Sequence, residues 1–399
     1  MKRIYFDYAA TTPVDKKVIE AMSPYFSEKF GNPGSLHSFG QDALKAVDES
    51  REKIAKALNA DFREIIFTGS ATEANNLALR GIIKSIKYQV LSIKYPRIIV
   101  SAIEHESILD TCRALEKEGV EVIYLPVDKN GFVNLKKLKE SLNERTILVS
   151  IIYANNEIGT IQPIKEIGKL ISEFREKNNS RFPLFHTDAV QAFQFLDCDV
   201  DKLGIDLMTL SAHKIYGPKG IGALYIRALY PKPYTLNPII TGGGQEFGLR
   251  SGTENVSSII GFAKAAEIII KNRAEENKRI GDLADYFWRE IKKICPQAEI
   301  NGVSNIKCQM SDVKKLPNIL NIRFPGQNAQ DLLIKLDING VAVSSGSACS
   351  ARAVKPSYVL KAIGLPDAQI KNSLRFSFGK PTTKKEIIEA LEIIKKLLR

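Results

Sequence analysis

A chain of 399 residues, 44% apolar and 26% charged, carries enough material for one large hydrophobic core and a second, smaller one. No run reaches the roughly 18 consecutive apolar residues of a membrane span, and the opening MKRIYFDYAATTP meets polar and turn residues before an apolar signal core develops, so a cytoplasmic protein with no membrane contact is expected. The five cysteines, Cys112, Cys198, Cys295, Cys308 and Cys349, are odd in number, scattered and free of CxxC pairs, which argues against a disulfide framework or a zinc ribbon and for reduced thiols.

The net charge of +12 invites a polyanionic partner. The lysines of LKKLKES and KKEIIEALEIIKKLLR, however, alternate with Glu or apolar residues at helical spacing. They read as solvated helix faces, and direct nucleic-acid binding is not required.

In chain order, GQDALKAVDESREKIAKALN reads as a helix whose Leu44, Val47, Ile54 and Leu58 share one face. Short apolar runs follow: EIIFTG, RIIVSA, EVIYLPV, TILVSIIYA, PLFHTDA, DLMTLSAHK and IGALYIR. Rich in β-branched residues, bounded by turn formers and separated by helical patterns, they predict an α/β fold with a mostly parallel sheet. After the glycine-rich TGGGQEFGLRSGTEN, a long helical stretch leads to a second unit with ILNIRF, GVAVSSGS and SLRFSFG as strands and EIIEALEIIKKLL as a closing helix. The expected division is a large domain over 16–260 and a smaller α+β domain of 1–15 plus 261–399.

Several polar residues stand where strands end. Lys214 closes the strand of LSAHKIYGPKG, which puts its amine at the carboxyl edge of the sheet with Ser211 and His213 beside it. Asp188 ends PLFHTD, suited either to a pyridinium nitrogen or to a plain helix cap, and Gln191 follows one turn into a starting helix. GSATEANN lies at a strand-to-helix junction, where the N–H groups of Ala71 and Thr72 form a phosphate cradle or an ordinary cap with Ser70 or Thr72. His105 in SAIEHESI and Asn155 and Asn156 in NNEIG also follow strands, whereas His37 and His186 read as structural. Arg375 in SLRFSFG offers a planar fork for a carboxylate. A lysine, an acid, a flat partner and phosphate donors are what pyridoxal 5'-phosphate requires of a protein. Cys349 in SSGSACSARA sits among small residues that favour a movable loop rather than core packing; the other cysteines read as structural.

Taken in order, FDYAATTP, GNPGSLHSFG, GSATEANN, EHESI, NNEIGTIQPI, HTDAVQ, SAHKIYGPKGIGALYIR, GGGQEFGLRSGTEN, LPNILNI, SSGSAC and SLRFSFG resemble the cysteine desulfurases, pyridoxal-phosphate enzymes of the aminotransferase class V group. The resemblance implies a fold-type I architecture with a large α/β/α cofactor domain and a smaller α+β domain, assembled as a homodimer. It implies Lys214 as the cofactor lysine, Asp188 on the pyridine nitrogen, Gln191 on the phenolic oxygen and His105 stacked on the ring and managing protons. It further implies phosphate contacts from Ala71, Thr72, Ser211 and His213, with Thr253 reaching across from the partner subunit. Asn156 and Arg375 match the positions that hold the substrate carboxylate, and Cys349 matches the nucleophile. The implied reaction converts L-cysteine to L-alanine and leaves a persulfide on Cys349, for delivery to acceptors such as an iron-sulfur scaffold or the enzymes that thiolate tRNA or cofactors.

Three departures mark this chain. Phe247 stands where the family usually has a basic residue, Arg352 and Tyr358 follow the cysteine where smaller residues and a histidine are common, and GSAT replaces the more familiar SGAT. A selenocysteine lyase or another lyase of the same fold is the alternative reading, and a non-catalytic sulfur-relay scaffold a distant one.

Overall fold

A computed structural model describes residues 3–89, 95–227, 236–304, 314–346 and 356–398. The twelve strands are β1 (Ile4–Tyr5), β2 (Ile65–Thr68), β3 (Arg97–Ser101), β4 (Glu121–Leu125), β5 (Thr146–Ser150), β6 (Leu184–Asp188), β7 (Leu207–Ser211), β8 (Gly222–Ile226), β9 (Glu299–Ile300), β10 (Ile319–Arg323), β11 (Val341–Ala342) and β12 (Ser373–Ser377). The helices that position the site are α1 (Ser38–Leu58), α2 (Ala71–Gln89), α3 (Glu106–Lys117), α4 (Ile164–Lys177), α5 (Val256–Ile294), α6 (Tyr358–Ala362) and α7 (Lys384–Leu397).

All seven strand-like runs join one sheet in the order β2-β8-β7-β6-β5-β3-β4. The β7–β6–β5–β3–β4 ladder is parallel throughout, and only β8 runs against its neighbours. Strands β5 and β7 are buried at every position, as their unbroken apolar character requires once helices cover both faces. Because β2 is antiparallel to β8 and β8 to β7, β2 points the same way as β7. The carboxyl ends of β2, β3, β5, β6 and β7 therefore lie on one edge, where an open α/β sheet places its ligands.

Helix α1 buries Val47, Ile54 and Leu58 as its pattern predicts, but Leu44 is 36% exposed. The inward face runs instead through Ala43, Ala46, Val47 and Ser50, which places Leu44 at its rim. The residue after this helix, Asn59, adopts the left-handed conformation that closes a helix end. The stretch after the glycine-rich segment is a single 39-residue helix, α5, begun by Asn255, whose side chain accepts from Ser258 N, and it runs unbroken through residue 260. It packs on α1 and α7. A capping box of Thr383 and Glu386 starts α7.

Beyond α5, β12, β10 and β9 form a three-stranded antiparallel sheet, and β1 pairs in parallel with β11. Strand β9 is too short and too polar to stand out in the sequence. Phe287 of α5 joins these pieces: its buried ring meets Phe6, Phe376 and Phe378 with centroids 6.1, 5.0 and 5.4 Å away. Phe287→Ala is expected to cost about 3–5 kcal/mol, read as a lower urea midpoint; a midpoint within error of the wild type would show that the ring packs less tightly than its burial implies.

Candidate active site

A cavity of about 300 Å³ opens at the carboxyl edge of the sheet. Of the residues singled out from sequence, Ala71, Thr72, His105, Asn156, Asp188, Gln191, Ser211, His213, Lys214 and Arg375 all line it. Thr253 does not. It lines a neighbouring space of about 120 Å³ with Gly220, Ile221 and Arg250. Cys349, Cys308 and Arg352 lie outside the described residues.

The lysine end is built by the N-terminal segment. Ala9 N donates to Ser377 Oγ, and Thr12 N donates to the His213 carbonyl, which ties the segment after β1 to β12 and to the end of β7. The Lys214 amine donates to the Ala9 and Ala10 carbonyls at 2.7 and 2.6 Å, and Gln191 Nε2 donates to Ala9 O at 2.9 Å. Gln191 sits in consecutive turns rather than on the expected helix. The turn begins where Asp188 Oδ1 accepts from Val190 N at 3.0 Å, so the carboxylate closes a local turn instead of capping a helix. Its other oxygen accepts from Asn75 Nδ2 at 2.9 Å.

At the opposite end, Ser70 Oγ accepts from Glu73 N and caps α2, leaving the first N–H groups of that helix directed at the cavity. Strand β8 passes beneath at Gly222. A Cβ there would sit 2.7 Å from the Ser70 carbonyl carbon and 2.9 Å from Ala71 N, so only glycine lets the sheet approach this cradle so closely. Burial, helped by the charges of Lys214 and Lys219, lowers the His213 pKa to about 4, which makes that ring a neutral hydrogen-bonding group beside Thr11 Oγ1.

Arg375 is 1% exposed. Its guanidinium donates to Asp7 Oδ1 at 2.7 Å and to the Asn156 carbonyl at 2.9 Å, while Nε has no partner among the described residues. With five donors and two engaged, the fork still has N–H groups for a carboxylate. The buried Oδ1 atoms of Asn75 and Asn156 also lack partners. The open Arg375 N–H, a helix N-terminus at one end and a lysine amine at another form a donor set that fits pyridoxal 5'-phosphate and an amino-acid carboxylate, and the two amide oxygens add acceptors to the same wall.

The remaining titratable groups divide clearly. His186 is fully buried between Ser150 Oγ and Thr209 Oγ1, where burial lowers its pKa to about 3, and His37 caps α1, so both are structural. Burial pushes the Cys112 and Cys198 thiols up to about 12, and Cys295 is also raised and buried. Among the described residues no cluster of three or more His, Cys, Asp or Glu is arranged to hold a metal ion. No helix there is long and apolar enough to cross a membrane.

Asn75, Ser107, Glu104 and the Ala9 and Ala10 carbonyls escaped the sequence reading. Asn75 was reachable in principle, since it lies one turn after Ala71 on the same helix face. Glu104 is fully buried, and its Oε1 accepts from Ser101 Oγ and Ile152 N at 2.5 and 2.6 Å.

The Aminotransferase class-V model matches residues 4–391. The chain belongs to that family. A relative from Dictyoglomus turgidum named Cysteine desulfurase IscS is 46% identical over 399 residues, covering 100% of this chain and 95% of the relative. A solved NifS-like protein superposes with a TM-score of 0.87 at 36% identity over 99% of each chain. A second solved structure, SspA in complex with cysteine, gives a TM-score of 0.79 at 37% identity, covering 94% of this chain and 98% of that one. Within the aminotransferase class-V family the chain falls among the cysteine desulfurases, whose cofactor is pyridoxal 5'-phosphate.

Burial, assisted by the charge of Asp188 and opposed by the hydrogen bonds from Ser101 and Ile152, raises the Glu104 pKa from 4.5 to about 8. The folded form then holds a proton that the unfolded chain has lost, so the contribution of this group to stability is greatest below pH 4.5, falls as pH rises and levels off near pH 8. The slope between those limits is at most about 1.4 kcal/mol per pH unit for one proton. Glu104→Gln is expected to remove this contribution, which urea titrations at several pH values would show as a flatter profile; an identical pH slope in the variant would mean that Glu104 is ionised when folded.

Proposed function

We propose that this chain takes sulfur from L-cysteine, releases L-alanine, and carries the sulfur as a persulfide on Cys349 to acceptor proteins such as an iron-sulfur scaffold or tRNA- and cofactor-thiolating enzymes. The observation that carries the reading is the convergence of the Lys214 amine, the Asp188 carboxylate, the α2 N-terminus and the Arg375 fork on one cavity.

In this reading Lys214 would hold the cofactor, with Asp188 serving its ring nitrogen, Gln191 its phenolic oxygen and His105 its ring face. Ala71, Thr72, Ser211 and His213 hold its phosphate. When bound, the cofactor supplies an electron sink adjacent to the substrate Cα. Arg375 and Asn156 grip the substrate carboxylate and orient Cα toward Lys214. Once it no longer holds the cofactor, the Lys214 amine would be free to take the Cα proton. Asn75 and Val190 N–H groups hold the Asp188 carboxylate in one orientation, so that it keeps a proton on the nitrogen it faces. The Cys349 thiolate attacks the substrate sulfur: a sulfur–sulfur bond forms, the carbon–sulfur bond breaks, the electron pair left on Cβ takes a proton that His105 manages, and Lys214 returns its proton to Cα to give alanine.

A second copy of the chain completes the site. Thr253 lies in the adjoining space rather than in its own chain's cavity. Phe26, Phe30, Leu36 and Phe39 are all more than half exposed on the surface that precedes and opens α1, an apolar patch that a partner subunit would cover. Sedimentation should give twice the chain mass of 44.4 kDa; a monomer at micromolar concentration would remove the shared site.

The reaction itself is tested by alanine and sulfide release from L-cysteine with a thiol reductant, for wild type, Lys214→Ala and Cys349→Ser. Equal yields of the two products are expected from the wild type, with at least a 100-fold loss in either variant, as for removal of a group that forms covalent bonds in catalysis. Activity surviving in Cys349→Ser would instead mean direct release of sulfur without a protein persulfide.

A further inference from the structure

The hydrogen bonds between the Asp188 carboxylate and the His105 ring run in one direction only. An amide oxygen turned toward a carboxylate would be repelled, so Asn75 presents its Nδ2 to Asp188 at 2.9 Å. The second hydrogen of the same nitrogen points to Ser107 Oγ at 2.8 Å. The Ser107 hydroxyl lies 2.8 Å from His105 Nδ1 and, because a backbone N–H already makes that nitrogen an acceptor, gives it a hydrogen. The backbone N–H of Ser107 also donates to Nδ1, at 3.1 Å, because His105 caps α3. Two donors converge on one ring nitrogen, and a nitrogen that accepts cannot carry the proton of a neutral imidazole. The α3 cap alone supplies one of these donors; the hydroxyl supplies the other and ties it to Asp188.

We propose that Ser107, oriented by Asn75, is a positioning residue that holds the neutral His105 ring as its Nε2–H tautomer, so that the histidine meets the substrate as a hydrogen-bond donor at Nε2. The proposal rests on the reading that His105 works beside the cofactor ring. In this proposal Ser107 and Asn75 act through His105. They act by fixing which edge of the imidazole offers a proton, as the partner of a catalytic histidine's other nitrogen generally does.

Nitrogen-15 NMR of histidine-labelled protein tests this directly, because the chain has only four histidines and His105→Gln identifies the relevant signals. Both holoenzyme and cofactor-stripped protein are expected to show His105 as the Nε2–H form, with an Nδ1–H fraction appearing in Ser107→Ala. In the same variant kcat for alanine is expected to fall roughly 3- to 10-fold, the size of one lost neutral hydrogen bond. KM for L-cysteine should stay within about 2-fold, and Ser107→Thr, which restores the hydroxyl, should recover both kcat and the wild-type spectrum. Finding the Nδ1–H form in the wild type, or a Ser107→Ala variant with wild-type spectrum and kcat, would overturn the proposal. A fully active His105→Gln would overturn the functional reading beneath it, while the wild-type spectrum would still judge the tautomer.

Discussion

The two carbonyls that receive the Lys214 amine are the point on which the rest of the architecture turns. They belong to Ala9 and Ala10, on a segment with almost no regular structure of its own. That segment is held where it is by β1 pairing with β11, by the bond from Ala9 N to Ser377, and by Thr12, whose backbone and hydroxyl both donate to the His213 carbonyl while the hydroxyl accepts from Tyr216 N. The same few residues therefore seat the lysine from one side and fasten the small sheets to the large one from the other. An amine in a partly apolar cavity needs acceptors, and the strap supplies two of them as backbone carbonyls.

A second constraint lies on the opposite flank. Arg51 of α1 and Glu246 are both nearly fully buried and joined by two bonds of 2.7 Å. Glu246 also accepts from Phe67 N of β2, and Arg51 donates to the Ile65 carbonyl. An isolated buried pair of this kind contributes little net stability, because desolvation consumes most of the attraction. Its effect is on geometry. Glu246 and Phe247 sit at φ of 50 and 57°, a left-handed conformation that costs energy for residues with side chains. The ion pair and the stacking of Phe247 over the Arg51 guanidinium at 5.1 Å, with Phe62 alongside, hold that turn in place. The departure from the usual basic residue at 247 is thereby accounted for: the aromatic ring faces a cation already present beneath it, where a second cation would be repelled. Arg250, just beyond, donates to Glu73, which in turn accepts from Gly69 N, so the strained turn reaches the end of α2 that borders the cavity.

Much of this was legible in the sequence. The seven apolar runs became the seven strands because each is short and rich in β-branched residues and most are buried on both faces, and a parallel sheet with helical crossovers brings their polar terminal residues to one edge. That is why Lys214, Asp188, His105 and Asn156, spread over more than a hundred positions, converge on one cavity. What could not be read is what depends on a partner distant in the chain. Leu44 fits a helical stripe, but the position of α5 decides which side of that stripe is covered. Gln191 stands three residues after a strand, but whether a helix or a chain of turns follows depends on Asp188 spending an oxygen on Val190 N. Backbone carbonyls such as Ala9 O leave no mark in a sequence at all.

Glu104 shows the same limit from the side of charge. Beside a histidine at a strand end, a glutamate reads as solvent-facing, yet the chain buries it and surrounds it with donors rather than with a cation: Ser101 Oγ and Ile152 N meet its side chain. Its carbonyl accepts from Tyr358 OH at 2.7 Å, so the residue that departs from the family pattern at the start of α6 reaches the peptide immediately before His105. Ser357, its neighbour, donates to the buried Glu157, and Ser344, on the other side of residues 347–355, exchanges backbone bonds with Arg375. The flanks of residues 347–355 are thus fixed to the residue before His105 and to Arg375. A tyrosine at 358 keeps that link because its phenol spans the distance as a donor, and a carbonyl can only accept; a residue without a donor at that reach would leave the Glu104 carbonyl buried and unpaired, at a cost of about 1–3 kcal/mol.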